Sequence, residues 1–143
     1  MRALLDVSAL VALFDGGHAL HDAVGSWFEQ RAEPGWATYA LTENGVVRVL
    51  SQPAYPNAVS ASAAVALLRG ARQDAAHEFW PCDVSLADPA VIKPGHLLGH
   101  QRLTDVYLLA LAVRHGGCFV TLDRRLTVSA VAGATEDHLV VLP

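Results

Sequence analysis

Apolar and polar positions along this chain fall into short blocks, none long enough to cross a membrane. "RALLD" is a compact apolar run closed by Asp6 and predicts a buried strand. "VSALVALF" follows as a helix, broken at "DGG" from Asp15 to Gly17. "HALHDAVGSWFEQRA" sets Leu20, Val24, Trp27 and Phe28 at helical spacing, and "EPG" ends it. "WATYA" predicts a second strand, and "LTENGVVRVLSQ" a helix stopped by Pro53. "NAVSASAAVALLRGARQ" predicts an Ala-rich helix with Val59, Ala63, Ala66 and Leu67 on one side. "HEFWP" is a third strand or edge segment. From Asp83 to His100 no period is readable, and Pro94-Gly95 predicts a loop or broken helix. A helix from Thr104 to His115, apolar on nearly every side, stops at Gly116-Gly117. The strand "CFVTL", a short helix within "DRRLTVSAVAG" and a last strand "HLVVL" complete the pattern.

Short apolar strands alternating with helices predict an α/β fold. Its centre is a short parallel sheet with helices on both faces and right-handed crossovers. In such sheets ligands collect beyond the carboxyl ends of the strands. Acids found there therefore carry the most information.

Composition narrows the class. The 143 residues predict a single domain over 1–143, and 52% hydrophobic against 17% charged residues argues against disorder. A net charge of −4 speaks against a protein that coats nucleic acid non-specifically. It leaves room for an enzyme that grips a few phosphates through a local patch or through metal ions. "MRALLDVSALVALF" is interrupted by Asp6 and followed by Asp15, so it reads as neither export signal nor span, and the expected compartment is the cytoplasm. Cys82 and Cys118 lie far apart without metal-type spacing and are expected to be buried, reduced thiols.

Four carboxylates stand where the sheet rule points. Asp6 follows the first strand and Asp123 follows "CFVTL". Asp105 sits in the first turn of the apolar helix, with Thr104 before it as a ready N-cap. Glu43 shares a helix face with Val46, Val47 and Leu50 and so points inward. Taken singly, Asp6 and Asp123 are also plausible helix caps, and Arg48 or another arginine is a candidate to neutralise Glu43. Together, four inward carboxylates would repel one another or recruit a cation. Oxygen-only ligation suits Mg²⁺ or Mn²⁺.

"LLDVSAL", "LTENGVVRVL", "RLTDVYLLALA" and "FVTLDRRL" resemble, in order and spacing, the four acidic motifs of PIN-domain ribonucleases, and most closely the VapC toxins of VapBC toxin–antitoxin pairs. "HALHDAVGSWFEQ" and the "GWAT" before Glu43 extend the resemblance over nearly the whole chain, least so from Pro81 to His100. The resemblance implies a PIN-like three-layer sandwich and Mg²⁺- or Mn²⁺-dependent cleavage of an RNA phosphodiester. Asp6, Asp105 and Asp123 would bind a metal, directly or through water. Glu43 would hold a second ion or orient the attacking water. Ser8 and Thr121 are candidates to hydrogen-bond the acids from behind. Arg48, Arg102, Arg124 and Arg125 are candidates to meet RNA phosphates, or else solvated surface residues.

The resemblance also implies a cognate VapB antitoxin, packed against the early helices around "LVALF" and "HDAVGSWF", and a homodimer. No membrane partner is expected. Two other readings stay open: an RNA-processing nuclease that is not a toxin, and a non-catalytic association module whose acids are structural. His18, His21 and Asp22 read as a solvated helix start. His96 and His100 are spaced like a zinc pair but lack the glutamate of a metalloprotease motif. Trp27, Trp36 and Trp80 read as packing residues rather than base-stacking platforms.

Overall fold

A computed structural model describes residues 1–31 and 34–143. Five short parallel strands form one sheet: β1 (Ala3–Leu5), β2 (Trp36–Tyr39), β3 (His77–Trp80), β4 (Cys118–Thr121) and β5 (Leu139–Val141). Their order is β3-β2-β1-β4-β5. The helices are α1 (Val7–Phe14), α2 (His21–Gln30), α3 (Ala40–Leu50), α4 (Ala61–Ala71) and α5 (Leu103–Arg114).

Alternation along the strands divides the core in two. Leu4, Ala37, Tyr39 and Phe119 pack with the apolar body of α5 on one face. Ala3, Leu5, Trp36, Cys118 and Val120 pack with residues of α1 to α4 on the other. The result is the three-layer α/β sandwich that the strand–helix alternation predicts. α5 buries Val106 and everything from Leu108 to Ala112, consistent with its nearly all-round apolar sequence.

The strand order places the ligand crevice. Successive strands run outward from β1 to β3, and the chain then returns to the other side of β1 to lay down β4. The order therefore reverses between β1 and β4, whose register pairs Ala3 with Cys118 and Leu5 with Val120. In open parallel sheets ligands bind beyond the carboxyl ends of the strands at such a reversal. Asp6 and Asp123 follow them.

Three local expectations are corrected. "DRRLTVSAVAG" forms no helix. Its backbone instead meets the segment before α5: Lys93 N–H donates to the Ala130 carbonyl at 2.8 Å and Ala132 N–H to Val91 at 2.7 Å, around an antiparallel bridge between Ile92 and Val131. Those long-range bonds and the burial of Leu126, Ala130 and Val131 outweigh local helix preference. α5 starts at Leu103, one residue early, so Thr104 lies inside it and is not its N-cap. On α4 the buried residues are Ala64 and Leu68, and the side bearing Val59, Ala63, Ala66 and Leu67 faces solvent.

Two side-chain environments also differ from expectation. Cys82 is exposed while Cys118 is buried, and both are free thiols. Most of "LVALF" is core, since Leu10, Val11 and Ala12 are buried, leaving little of α1 for a partner. Trp36 and Trp80 are core residues, as expected of packing tryptophans. Among the described residues, no helix is long and apolar enough to cross a membrane.

Candidate active site

Asp6 is fixed by the β1–α1 junction. Its N–H donates to the Val120 carbonyl at 2.9 Å, tying it to the end of β4. It is the N-cap of α1: Val7 N–H donates to Oδ1 at 2.7 Å. The hydroxyls of Ser8 and Thr121 each donate to Oδ2 at 2.8 Å. Capping and site-building are thus done by different oxygens of one carboxylate.

Thr121 joins two of the acids. Its fully buried Oγ1 donates to Asp6 and accepts the N–H of Asp123 at 3.1 Å. Ser8 Oγ in turn accepts the Leu122 N–H at 3.4 Å. Both hydroxyls stand behind the acids, where the sequence sets them.

No helix follows Asp123, so it caps none. It closes a tight turn in which Oδ1 accepts the Arg125 N–H at 2.9 Å. The Arg125 guanidinium then forks onto both oxygens, Nε to Oδ1 and Nη2 to Oδ2, each at 2.9 Å. That side chain holds the Asp123 carboxyl down at about 2. Arg125 is therefore engaged by an acid of the cluster rather than free for an external phosphate.

Asp105, in the first turn of α5, has no side-chain hydrogen bond among the described residues. Burial first, then the negative charges of Asp6 and Asp123, push its carboxyl up to about 6; Arg125 and Arg102 pull weakly the other way. Three acids delivered by β1, α5 and the end of β4 thus share one electrostatic environment. Arg102 is half-buried beside them, and its Nε is buried with no hydrogen-bond partner. Arg124 is exposed.

Glu43 also lies beyond the carboxyl end of a strand, in the first turn of α3, but its contacts run elsewhere. Oε1 accepts the hydroxyl of buried Thr38 at 2.6 Å, and Oε2 meets Arg72 of the segment after α4 at 3.3 Å. Thr38 Oγ1 lies 2.8 Å from His77 Nε2. With its hydrogen donated to Glu43, Oγ1 accepts here, which assigns the His77 proton to Nε2. Burial, then Arg72, lowers the His77 pKa. Glu43 is half-buried, as its helix face predicts, and its neutralising arginine is Arg72; Arg48 is exposed. α1 and α3 pack closely here: a Cβ on Gly45 would collide with Val7, so only glycine lets α3 approach.

Sequence reasoning does not single out Arg72, Thr38 or His77. Arg72 lies 29 residues from its acid, and no local pattern encodes that pairing. Thr38 does carry a usable signal, a polar residue inside an otherwise apolar strand.

The acids suit a hard cation. All are oxygen donors, and neither cysteine nor histidine joins Asp6, Asp105 and Asp123. Among the described residues no three such side chains stand close enough to cage a metal unaided, and the Asp123 carboxylate is bonded to Arg125. A hydrated Mg²⁺ fits such a site, because it keeps most of its waters and needs only one or two carboxylates.

The fold agrees with comparisons to known proteins. A family model described as PIN domain matches residues 3–132. Ribonuclease VapC44 of Mycobacterium tuberculosis is 49% identical over 142 residues, covering 99% of this chain and 100% of that protein. Ribonuclease VapC39 of the same organism is 42% identical over 137 residues, 95% of this chain and 99% of that one. In fold, the chain matches the crystal structure of M. tuberculosis VapC20, a sarcin-ricin loop cleaving toxin, with a TM-score of 0.64 at 17% identity, covering 99% of this chain and 100% of the other. The chain belongs to the PIN-domain family, among its VapC ribonucleases.

Proposed function

We propose that this chain is a VapC-type endoribonuclease toxin that hydrolyses RNA phosphodiester bonds with Mg²⁺, or Mn²⁺ in its place, at Asp6, Asp105, Asp123 and Glu43. The observation that carries the reading is the state of Asp105: a carboxyl without a hydrogen-bond partner among the described residues, held up at about 6 beside two other acids. Burying like charges together is costly, and a folded chain retains such an arrangement where a cation relieves it. When bound, a divalent cation acidifies a water and offsets charge on the phosphoryl oxygens.

The remaining work falls to the chain. Asp6 and Asp105 would hold the ion, and Asp123 would join them as Arg125 exchanges its carboxylate for solvent or phosphate. Ser8 and Thr121 keep Asp6 aimed into the crevice. Glu43, aligned by Thr38, would accept a proton from the attacking water or hold a second ion. Its neighbour Arg72 pairs with the other oxygen of that carboxylate at 3.3 Å.

A VapB-type antitoxin as inhibitor, a homodimer and a cytoplasmic location complete the proposal; these rest on family membership. The outward face of α4 offers more apolar surface than α1 does for such contacts.

The direct test is RNA cleavage by wild type, Asp6→Asn and Asp105→Asn, each titrated with Mg²⁺, Mn²⁺ and EDTA. Both variants should lose cleavage by about two orders of magnitude or more while staying folded. Cleavage that survives EDTA, or persists in folded Asp105→Asn, sinks the assignment. A reading frame for a small DNA-binding protein beside this gene separates a toxin from an RNA-processing nuclease.

A further inference from the structure

We propose that the groove between α3 and α4 binds single-stranded RNA, with phosphates on Arg48, Arg69 and Arg72 and a base stacked on Phe79. The inference rests on the ribonuclease reading and names where its substrate lies.

Two adjoining cavities, about 460 and about 590 Å³, share Glu43, Val65, Leu68 and Arg72 as walls. Arg69 lines the first, and Arg48 and Phe79 the second. Val65, Arg69 and Arg72 are spaced i, i+4, i+7 and form one stripe of the α4 segment facing α3. Three of the ten lysines and arginines of a chain with net charge −4 thus meet along one groove, opposed in its lining, among the described residues, only by Glu43. Anion binding needs such a local reversal of sign.

Phe79 adds what an anion site alone would not. It lies on the edge strand β3 and is 42% exposed, an unusual position for a large aromatic ring. The Arg72 guanidinium carbon stands 5.0 Å from its ring centre. Through Nη1 the same arginine holds Glu43. Ion pair and ring together orient the guanidinium, and among the described residues its other donors bond to nothing, leaving them for a phosphate. An aromatic face beside fixed arginines is how single-stranded nucleic acids are gripped without sequence preference. The groove also opens onto Glu43, so a strand lying in it runs into the acidic edge. An acidic peptide would use the arginines but leave the ring idle, and RNA is the better fit.

The test measures binding alone, by anisotropy of fluorescein-labelled oligouridine in EDTA, on folded variants of the full chain. Arg69→Ala with Arg72→Ala should weaken binding about tenfold, and the slope of log affinity against log salt should become shallower by about 0.7 for each phosphate no longer gripped. Arg69→Ala alone, which leaves the Glu43 pair intact, should give a part of that loss. Phe79→Ala should weaken binding about tenfold and Phe79→Trp should restore it. Arg114→Ala, on the helix that covers the opposite face of the sheet, should change nothing.

Wild-type affinity in the groove variants overturns the proposal. So does a poly-glutamate competitor that displaces oligouridine while Phe79→Ala has no effect, because the groove then takes acidic peptides. No cleavage enters the readout, so a chain that binds here yet cuts no RNA keeps the groove and loses the nuclease reading. A chain that cuts RNA but ignores these substitutions does the reverse.

Discussion

Asp15 and Asp105 are both aspartates at helix ends, and they are opposites. At the end of α1, Asp15 has both oxygens filled: Oδ1 accepts from Gly17 N–H at 2.9 Å, Oδ2 accepts from Asn57 at 3.0 Å and from the Tyr55 hydroxyl. The Tyr55 hydrogen bond, then Asn57, lowers its pKa, and Tyr55 itself is pushed up to about 12 by burial and then by Asp15. Among the described residues Asp105 has no such partners, and burial, then two neighbouring anions, raises its carboxyl to about 6. The first acid is spent on joining the α1–α2 turn to the loop before α4. The second makes no side-chain hydrogen bond among the described residues, which is why it is proposed to meet a cation. Within this pair the free oxygens and the neighbouring acids set Asp105 apart from Asp15, whereas Asp6, Asp123 and Glu43 have filled oxygens and are marked by their place at the carboxyl ends of the strands.

Asp105→Asn should break that contrast with the largest effect. Cleavage falls by about two orders of magnitude or more, yet the metal-free protein should melt higher, because a repelled charge is gone. The sign follows from linkage. A carboxyl raised from 3.8 to about 6 on folding stabilises the fold while protonated, below the unfolded value, and that stability is lost as pH rises through 6. After allowance for its partial exposure the loss is about 1–2 kcal/mol in the metal-free wild type. Asp105→Asn should abolish that limb of the melting profile. Mn²⁺ affinity, measured by calorimetry, should rise over the same range, because the ion displaces a proton. A flat profile in wild type would mean that neither burial nor the neighbouring acids raise the Asp105 carboxyl.

Thr121→Val should come next. It keeps the shape, removes the donor to Asp6 and strands the Asp123 N–H, at a cost of about 1–3 kcal/mol in chemical denaturation. Cleavage should fall with it, because Asp6 loses one of the two hydroxyls that aim it. Serine at this position should recover most of both losses. Valine with wild-type stability would show that the helix cap and Ser8 hold Asp6 without Thr121.

Arg125→Ala is a smaller perturbation. The pair with Asp123 is exposed, so fold stability should barely change. The freed carboxylate should return from about 2 toward its ordinary value, and Mn²⁺ should bind about two- to fivefold tighter without the competing guanidinium. Weaker Mn²⁺ binding would instead make Arg125 a support of the ion site.

How much of this is legible in the sequence follows the range of each interaction. The α/β class, all five strands and the positions of Asp6, Asp105 and Asp123 rest on local periodicity, which a parallel sheet buried on both faces preserves. Ser8 and Thr121 are readable because they lie within two residues of an acid. The turn after Asp123 reads wrongly as a helix because its partner, Val91 to Lys93, comes from the segment with no readable period. The solvent-facing side of α4 is as apolar as its buried side, so periodicity identifies a face but not its direction. Arg72 and Tyr55 are invisible in any window of sequence, since each meets its acid across a distance only the fold closes.

Asp15→Asn should have the smallest effect on chemistry and tests the other half of the contrast. Asparagine keeps the size but replaces one acceptor oxygen with a donor group that meets the donor Asn57. The protein should melt lower, and cleavage per folded molecule should stay within about twofold. The pH slope is the sharper measure. A carboxyl lowered on folding stabilises above its unfolded value of 3.8, and that stability is lost as pH falls through the folded value. Wild type should therefore lose stability through Asp15 as pH falls below about 4, and through Asp105 as pH rises from about 4 to 6. Asp15→Asn should flatten only the first limb and Asp105→Asn only the second. If Asp15→Asn also removed cleavage at full folding, the tie between the α1–α2 turn and the Tyr55 loop would be shaping the acidic site, and Asp15 would not be merely structural.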